Sequence, residues 1–437
     1  MAALAVNFVA LPSDRLEFGA SSAYADDDDD DDGDDDDYRR PPPRRYLQRN
    51  WSPGREYRRA APRRAPAQRV RPAPRQPVAA PRPAYEPRII IATGLDEGHI
   101  AALTSAGFEI VTRRQLAGGE LLKIRTPQGL AMDAARARVA ASPSATADFN
   151  HYYHPSQDRR CGGKPCIAPA LVGWPSVGAR CSSDDIVIGM VDTGINPDHP
   201  VFHGKQLELL RLEEDLGPGS GKQHGTAVAS LLIGGGDVGT PGLLPDARLV
   251  AIDAFEKFSR SEDRAEAFQL VRSLETLSRR NVQIINMSLS GPANALLEQA
   301  VNRIVDSNIV VVAAAGNAGP SAAPAYPAGY ARVLAVTAID RNKRAYRRAN
   351  RGGHIDIAAP GVGVWAAASI KGTRQKTGTS IATPFVTAAA ALVLSAEPGS
   401  SAEQIAQRLA ATAQDLGDPG RDDIYGWGLL DVSAFCR

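Results

Sequence analysis

No run in this 437-residue chain approaches the roughly 18 consecutive apolar residues that a membrane-crossing helix requires. The expectation is therefore a water-soluble body. Net charge is almost absent, at +1, but it conceals a local asymmetry. Residues 26–37 are aspartate broken only by Gly33, and residues 39–88 are rich in arginine and proline, as at Arg44-Arg45, Arg58-Arg59 and Arg63-Arg64. Hydrophobicity is too low across 26–87 to offset the entropy of ordering, so this arm is read as a solvated spacer. Its acidic run could hold cations or pair with the arginines. The arginines could touch an anionic surface, although nucleic acid is not the expected partner. The first residues lack the basic segment of a secretory signal. Even so, 2–12 is apolar and Ala23-Tyr24-Ala25 has the small-residue form of a cleavage site. Residues 1–25 are thus a candidate signal of atypical form, interrupted by Ser13-Asp14-Arg15 and Glu17.

Cysteine is scarce: Cys161, Cys166, Cys181 and Cys436 are all there are. With His151 and His154 nearby a zinc site can be drawn, but the spacing matches no common zinc pattern. Two disulfides in an oxidising compartment fit better. Of the three connectivities, Cys161–Cys166 with Cys181–Cys436 is favoured, because it ties the chain's end to its first core strand.

What is present falls into three stretches. Residues 88–154 read as strand 88–92, helix 97–106, strands 108–115 and 120–126, helix 130–141 and strand 145–154. This is a βαββαβ, ferredoxin-like α+β order. Residues 155–181 form a polar, Gly/Pro-containing linker with the cysteine cluster. From 182 to 437, apolar strands at 186–191, 249–255, 283–287, 309–314, 333–338 and 355–359 alternate with helical patterns. Helix 262–280 carries Ala265, Phe268, Val271, Leu274 and Leu277 on one side, and 294–306 carries Leu297, Val301 and Ile304. That alternation implies a doubly wound α/β domain with a mostly parallel sheet.

Chemistry concentrates where strands end and helices begin. Gly378-Thr379-Ser380-Ile381-Ala382-Thr383-Pro384 precedes the small-residue helix 385–396. Ser380 would sit where unpaired N–H groups favour developing negative charge, with Pro384 in the tolerant first turn. Asp192-Thr193-Gly194 closes strand 186–191, and His224-Gly225-Thr226 opens helix 227–233. Singly, each is as well explained as a helix cap or a strand turn. Together they place acid, imidazole and hydroxyl at the edge where open α/β sheets carry their sites.

These motifs resemble those of the subtilisin-like serine proteases, and the chain order Asp…His…Ser is the order of subtilisin itself. The resemblance covers 182–437, including Tyr425-Gly426-Trp427-Gly428-Leu429-Leu430-Asp431 near the end. It implies Ser380 as nucleophile, His224 as general base and Asp192 as the carboxylate that orients the imidazole. Asn317, in Ala313-Ala314-Ala315-Gly316-Asn317-Ala318-Gly319, would donate to the oxyanion beside the Ser380 N–H. Substrate would lie along Ser288, Leu289, Ser290 and Gly291, with Ala315 and Gly316 walling a pocket for a medium or large apolar side chain. Two departures stand out. Ser290 replaces a frequent glycine, and Ala227 replaces a frequent histidine.

Residues 88–154, placed directly before such a domain, resemble the family's inhibitory propeptide. The resemblance then implies a secreted or periplasmic endopeptidase of protein and peptide substrates, made as a zymogen that cuts itself between 155 and 182. No cofactor is implied. Calcium, often bound by the family, stays open, since the loop near 234–246 offers only Asp237 and Asp246 as carboxylates. Two alternatives remain: a non-catalytic binding protein on a protease scaffold, and an anion-binding protein acting through the arginine-rich arm.

Overall fold

In the computed structural model, residues 84–155, 168–174, 185–212, 217–235, 241–260 and 262–435 are described. The four cysteines, the 1–25 segment and the acidic and arginine-rich arm lie outside them. So do most of the linker, including the proposed disulfide pairs, and part of the loop near 234–246.

The first six elements are β1 (Tyr85–Thr93), α1 (Glu97–Ser105), β2 (Glu109–Leu116), β3 (Gly119–Arg125), α2 (Met132–Val139) and β4 (Thr146–Pro155). The strands pair antiparallel in the order β2-β3-β1-β4. Helix α1 starts at Asp96, whose side chain accepts from His99 N–H at 2.7 Å and so satisfies a first-turn donor. Strand alternation splits the apolar residues between two faces. Ile90, Leu122 and Ile124 pack with Ile100, Leu103 and Val139 of the covering helices and with Phe108 of the turn after α1. Ile91, Leu121 and Tyr153 instead enter a core shared with Phe268, Leu297 and Val301 from later in the chain.

After a single turn, α3 (Ala168–Leu171), come β5 (Val187–Asp192), β6 (Leu207–Arg211), α4 (Gln223–Ile233), β7 (Arg248–Asp253), β8 (Phe255–Lys257) and β9 (Asp263–Glu266). Next are α5 (Ala267–Ser278), β10 (Ile284–Met287), β11 (Leu289–Ser290), α6 (Ala295–Asp306), β12 (Val310–Ala314), β13 (Leu334–Ile339) and β14 (Ile357–Pro360). The hairpin β15 (Val364–Ala367) and β16 (Thr373–Lys376) leads into α7 (Thr379–Ala396), and α8 (Ala402–Thr412) follows. Seven parallel strands run in the order β14-β13-β12-β10-β5-β7-β6, with helices on both faces. The doubly wound architecture explains the continuous apolar strand sequences, because both faces are buried.

Three expectations need correction. Residues 263–266 were expected to be helical but form β9, because their backbone pairs with β4 at Tyr152↔Glu266 and Tyr153↔Ala265. The strand expected over 249–255 ends at Asp253, and Phe255 begins β8. Helix α7 starts at Thr379 rather than 385, which puts Pro384 inside it instead of in its first turn. Proline has no N–H to give the carbonyl four residues back, so Ser380 O is left without its helical donor. Ser288 Oγ donates to it instead, at 2.8 Å. Helix α7 is also long and apolar enough to cross a membrane by length and composition, yet 89% of that window is buried inside the fold.

Strand β4 carries the N-terminal sheet on to β9, β8 and β11, strands outside the parallel sheet, and caps two helices. Asn150 Oδ1 accepts from Phe268 N–H at the start of α5 (3.0 Å), and Asp148 Oδ2 accepts from Ala295 N–H at the start of α6 (3.0 Å). Both are first-turn donors without helical partners, facing the positive ends of the helix dipoles. Between them and β9 lies a buried charge cluster. Lys123 Nζ is 2.7 Å from Glu266 Oε2 and 2.9 Å from Glu86 Oε2, and Asn150 Nδ2 donates to both carboxylates. Nearby, Arg264 stacks over Tyr152 and pairs with Glu256, and both Lys123 and Arg272 lie over the Phe268 ring.

Burial pushes Glu266 up to about 7, opposed by the Lys123 ammonium and reinforced by Glu86. Burial would also raise Glu86, but Lys123 holds it below the usual carboxylate value. The contribution of Glu266 is complete below its ordinary 4.5 and is lost as pH rises through about 7. That of Glu86 has the opposite sense and is lost only as pH falls below the carboxylate range. The Tm of the full chain is therefore expected to lose this contribution between the ordinary 4.5 of Glu266 and about 7, and Glu266→Gln to flatten that slope. Differential scanning calorimetry checks it; an unchanged slope in the variant would refute this assignment.

Candidate active site

Asp192 ends β5, the strand between β10 and β7, and is 1% exposed. Its Oδ1 accepts from Thr193 N–H at 2.7 Å and faces His224 Nδ1 at 2.6 Å. His224 is the second residue of α4 and is also buried. Gly225 makes that approach possible. Its N–H donates to Thr193 Oγ1 at 2.9 Å, and a Cβ there would lie 2.3 Å from Thr193 O. Such a helix start can dock on the Asp192 turn only with a glycine at this point.

Ser380 occupies the second position of α7, fully buried, after Gly378 as the N-cap residue. The same helix start fixes Asn317. Thr379 N–H and Thr379 Oγ1 both donate to Asn317 Oδ1, at 3.1 and 3.0 Å. Gly316 N–H in turn donates to Thr379 Oγ1 at 3.1 Å. On β10, Asn286 Nδ2 donates to Ser288 Oγ (3.0 Å), and Thr387 of α7 donates to Asn286 Oδ1 (2.9 Å). The parallel strands β5 and β12 end at the same edge of the sheet, which places the Asp192–His224 pair and the Thr379–Asn317 contact beside Ser380 there.

Three buried polar atoms here have no hydrogen-bond partner among the described residues: Asp192 Oδ2, His224 Nε2 and Asn317 Nδ2. Buried polar groups are normally satisfied, so such a concentration marks a place where chemistry supplies the partner. An imidazole held at Nδ1 by a buried carboxylate can take and return a proton at Nε2. A side-chain amide held at its oxygen can donate from its nitrogen to an anion.

Of the expected substrate residues, Leu289 and Ser290 lie directly beside the chain's own β4. Strand β11 pairs antiparallel with β4, Leu289 against Pro155 and Ser290 against His154, while β9 pairs with the opposite edge of β4. Tyr153 is fully buried between them, its hydroxyl donating to Pro292 O at 3.0 Å. Burial and the nearby Tyr330 push its pKa well above the ordinary tyrosine value. Gly291, antiparallel to Tyr326 through two 2.9 Å bonds, has no room for a side chain; a Cβ would lie 2.4 Å from the Tyr153 ring. Ala315 donates to Val336 O at 2.9 Å, and Gly316 takes a φ of 96° that favours glycine. Sequence reasoning missed Tyr153 and Glu266 as residues of this pairing, because their roles depend on contacts across more than a hundred positions. Among the described residues no three His, Cys, Asp or Glu side chains come together to hold a metal.

Residues 183–428 match the model of the subtilase family. Subtilisin DY of Bacillus licheniformis is 36% identical over 257 residues, which is 57% of this chain and 90% of that protein. Subtilisin E of Bacillus subtilis (strain 168) is 32% identical over 272 residues, 61% of this chain and 68% of its own. Fervidolysin from Fervidobacterium pennivorans, a keratinolytic enzyme related to subtilisin, overlays with a TM-score of 0.67 at 21% identity. That overlay takes in 80% of this chain and 61% of fervidolysin. The protease domain of PatA overlays with a TM-score of 0.52 at 29% identity, over 59% of this chain and 96% of its own.

The fold and these relatives define a serine endopeptidase, a hydrolase of peptide and protein substrates. The chain belongs to the subtilase family. For such an enzyme, Gly225→Ala is expected to separate His224 from Asp192 and lower kcat by on the order of 100-fold. Peptide hydrolysis beside a thermal melt checks this; wild-type turnover in a folded variant would refute it.

Proposed function

We propose that this protease is a self-processing zymogen in which Asp192, His224 and Ser380 form the catalytic triad and Asn317 donates to the oxyanion. Ser380 Oγ attacks the scissile carbonyl while His224 Nε2 takes its proton and then returns it to the leaving amine. Asp192 holds the imidazole tautomer and stabilises the imidazolium. Asn317 Nδ2 and the Ser380 N–H receive the negative charge that develops on the carbonyl oxygen. Residues 84–155 act as the intramolecular inhibitor, and export is the matching destination.

The observation that carries this reading is the register of β4 on β11. A peptide held with Pro155 opposite Leu289 would set its next residue against Ser288, whose hydroxyl touches Ser380 O. The bond after that residue is the one cut, which in this chain is Ser156–Gln157. Tethering raises the effective concentration enough that a small Ser156 suffices where a free substrate would want an apolar side chain. A cut there also precedes Cys161, so it spares every candidate disulfide.

The test is to express wild type and Ser380→Ala side by side and sequence the N-termini. Wild type should yield a chain beginning at Gln157, while Ser380→Ala should retain residues 84–155 and hydrolyse no peptide. Identical processing in both would assign the cut to another protease. An active wild type that keeps 84–155 attached would rule out the zymogen reading.

A further inference from the structure

Asn350 follows β13 in a loop that no sequence motif singled out, and it is 1% exposed. It grips the turn that carries Asn317 from both flanks. Its backbone N–H donates to Gly316 O at 3.0 Å. Its Oδ1 accepts from Ala318 N–H at 2.9 Å, and its Nδ2 donates to Ala323 O at 3.0 Å. Two residues earlier, Arg348 O accepts from Gly319 N–H at 2.9 Å. At Gly316 a Cβ would come within 3.2 Å of Asn350 Nδ2, so the two loops pack with little space between them. The backbone before and after Asn317 is therefore fixed by one side chain and one amide of Asn350. The Asn317 side chain is fixed separately, by Thr379 at Oδ1. What remains is Nδ2, buried and without a partner among the described residues.

We propose that Asn350 is a positioning residue for the oxyanion donor, clamping residues 316–323 so that Asn317 Nδ2 is already aimed when the tetrahedral intermediate forms. The proposal rests on the role given to Asn317 above. Electrostatic stabilisation of an oxyanion depends on donors that need no reorganisation at the moment of reaction. A displacement near 1 Å of a group that acts in the transition state costs on the order of 100-fold in rate. Without the Asn350 side chain, Ala318 N–H and Ala323 O lose their partners and the turn is free to shift. Substrate pairing on β11 and β9 would be untouched, since neither strand contacts this loop through the bonds described. The loss should thus fall more heavily on kcat than on KM.

The experiment is a double-mutant cycle on the full chain, reading the first-order rate of self-cleavage in wild type, Asn350→Ala, Asn317→Ala and the double variant. Thermal melts confirm folding, and peptide KM is measured on the cleaved forms. Asn317→Ala should slow cleavage about 10²–10³-fold, a size that comes from subtilisin itself. Asn350→Ala should slow it about 10- to 100-fold in the wild-type background. In the Asn317→Ala background it should cost no more than about threefold, because the group it positions is gone. Peptide KM should change by a smaller factor than kcat, Gly316 being a wall of the expected pocket. Equal factors in both backgrounds, or a raised KM with kcat intact, would overturn the clamp and leave Asn350 as ordinary scaffold. Cleavage at the wild-type rate in Asn317→Ala would instead overturn the role of Asn317, and the clamp with it. If Asn350→Ala does not fold, the same cycle with Asn350→Ser decides, since serine keeps the backbone bond and a small polar side chain.

Discussion

Strand β4 is the element on which the arrangement depends, because a strand in the middle of a sheet must satisfy both of its edges. Its first half pairs with β1 inside the N-terminal sheet. Its second half runs between β9 and β11 of the protease. Neither β9 nor β11, at four and two residues, would be expected to hold a sheet alone. The pairing of β9 and β11 is thus completed by β4, a strand of the chain's own N-terminal unit.

Side chains extend that dependence to the helices. Asp148 and Asn150 point to the same face of β4, as alternate residues do, and each meets the N-terminus of a different helix. Glu266, the N-cap residue of α5, makes no capping bond with its own side chain. That side chain is engaged by Lys123 and Asn150 instead, so the start of α5 is satisfied from across the boundary. One ammonium facing two carboxylates in a buried place leaves a proton in the balance near neutrality, which is why this contact is sensitive to pH.

The site itself is organised by holding each functional group at one atom and leaving the other unsatisfied. Asp192 holds His224 at Nδ1, and Thr379 holds Asn317 at Oδ1. Pro384 removes the helical donor to Ser380 O, and Ser288 restores it, which links the substrate strand to the start of α7. A backbone rule that proline normally breaks is here the reason a neighbouring hydroxyl has a fixed place.

The motifs around Asp192, His224, Asn317 and Ser380 were legible because each needs particular residues within three or four positions of one another. A glycine permits a close approach, a small-residue helix follows, and a polar side chain stands at the junction. The parallel sheet was legible from its apolar strands for the same local reason. Local pattern misjudged 263–266, where helical spacing continued to the eye but the backbone pairs with β4. It also misjudged Pro384, whose position in α7 follows from where Gly378 breaks the hairpin strand. Tyr153, Glu266 and Asn350 carried no signal at all. Their partners lie more than a hundred residues away in the first two cases, and Asn350 meets its turn across some thirty residues. In sequence terms an asparagine in a polar loop is unremarked. The sequence by itself determined the family, the order of the reactive groups and the alternation that builds the sheet. Only the tertiary structure decided which strand lies between β9 and β11 and which side chains hold the reactive atoms still, because those contacts form between segments that local propensity cannot relate.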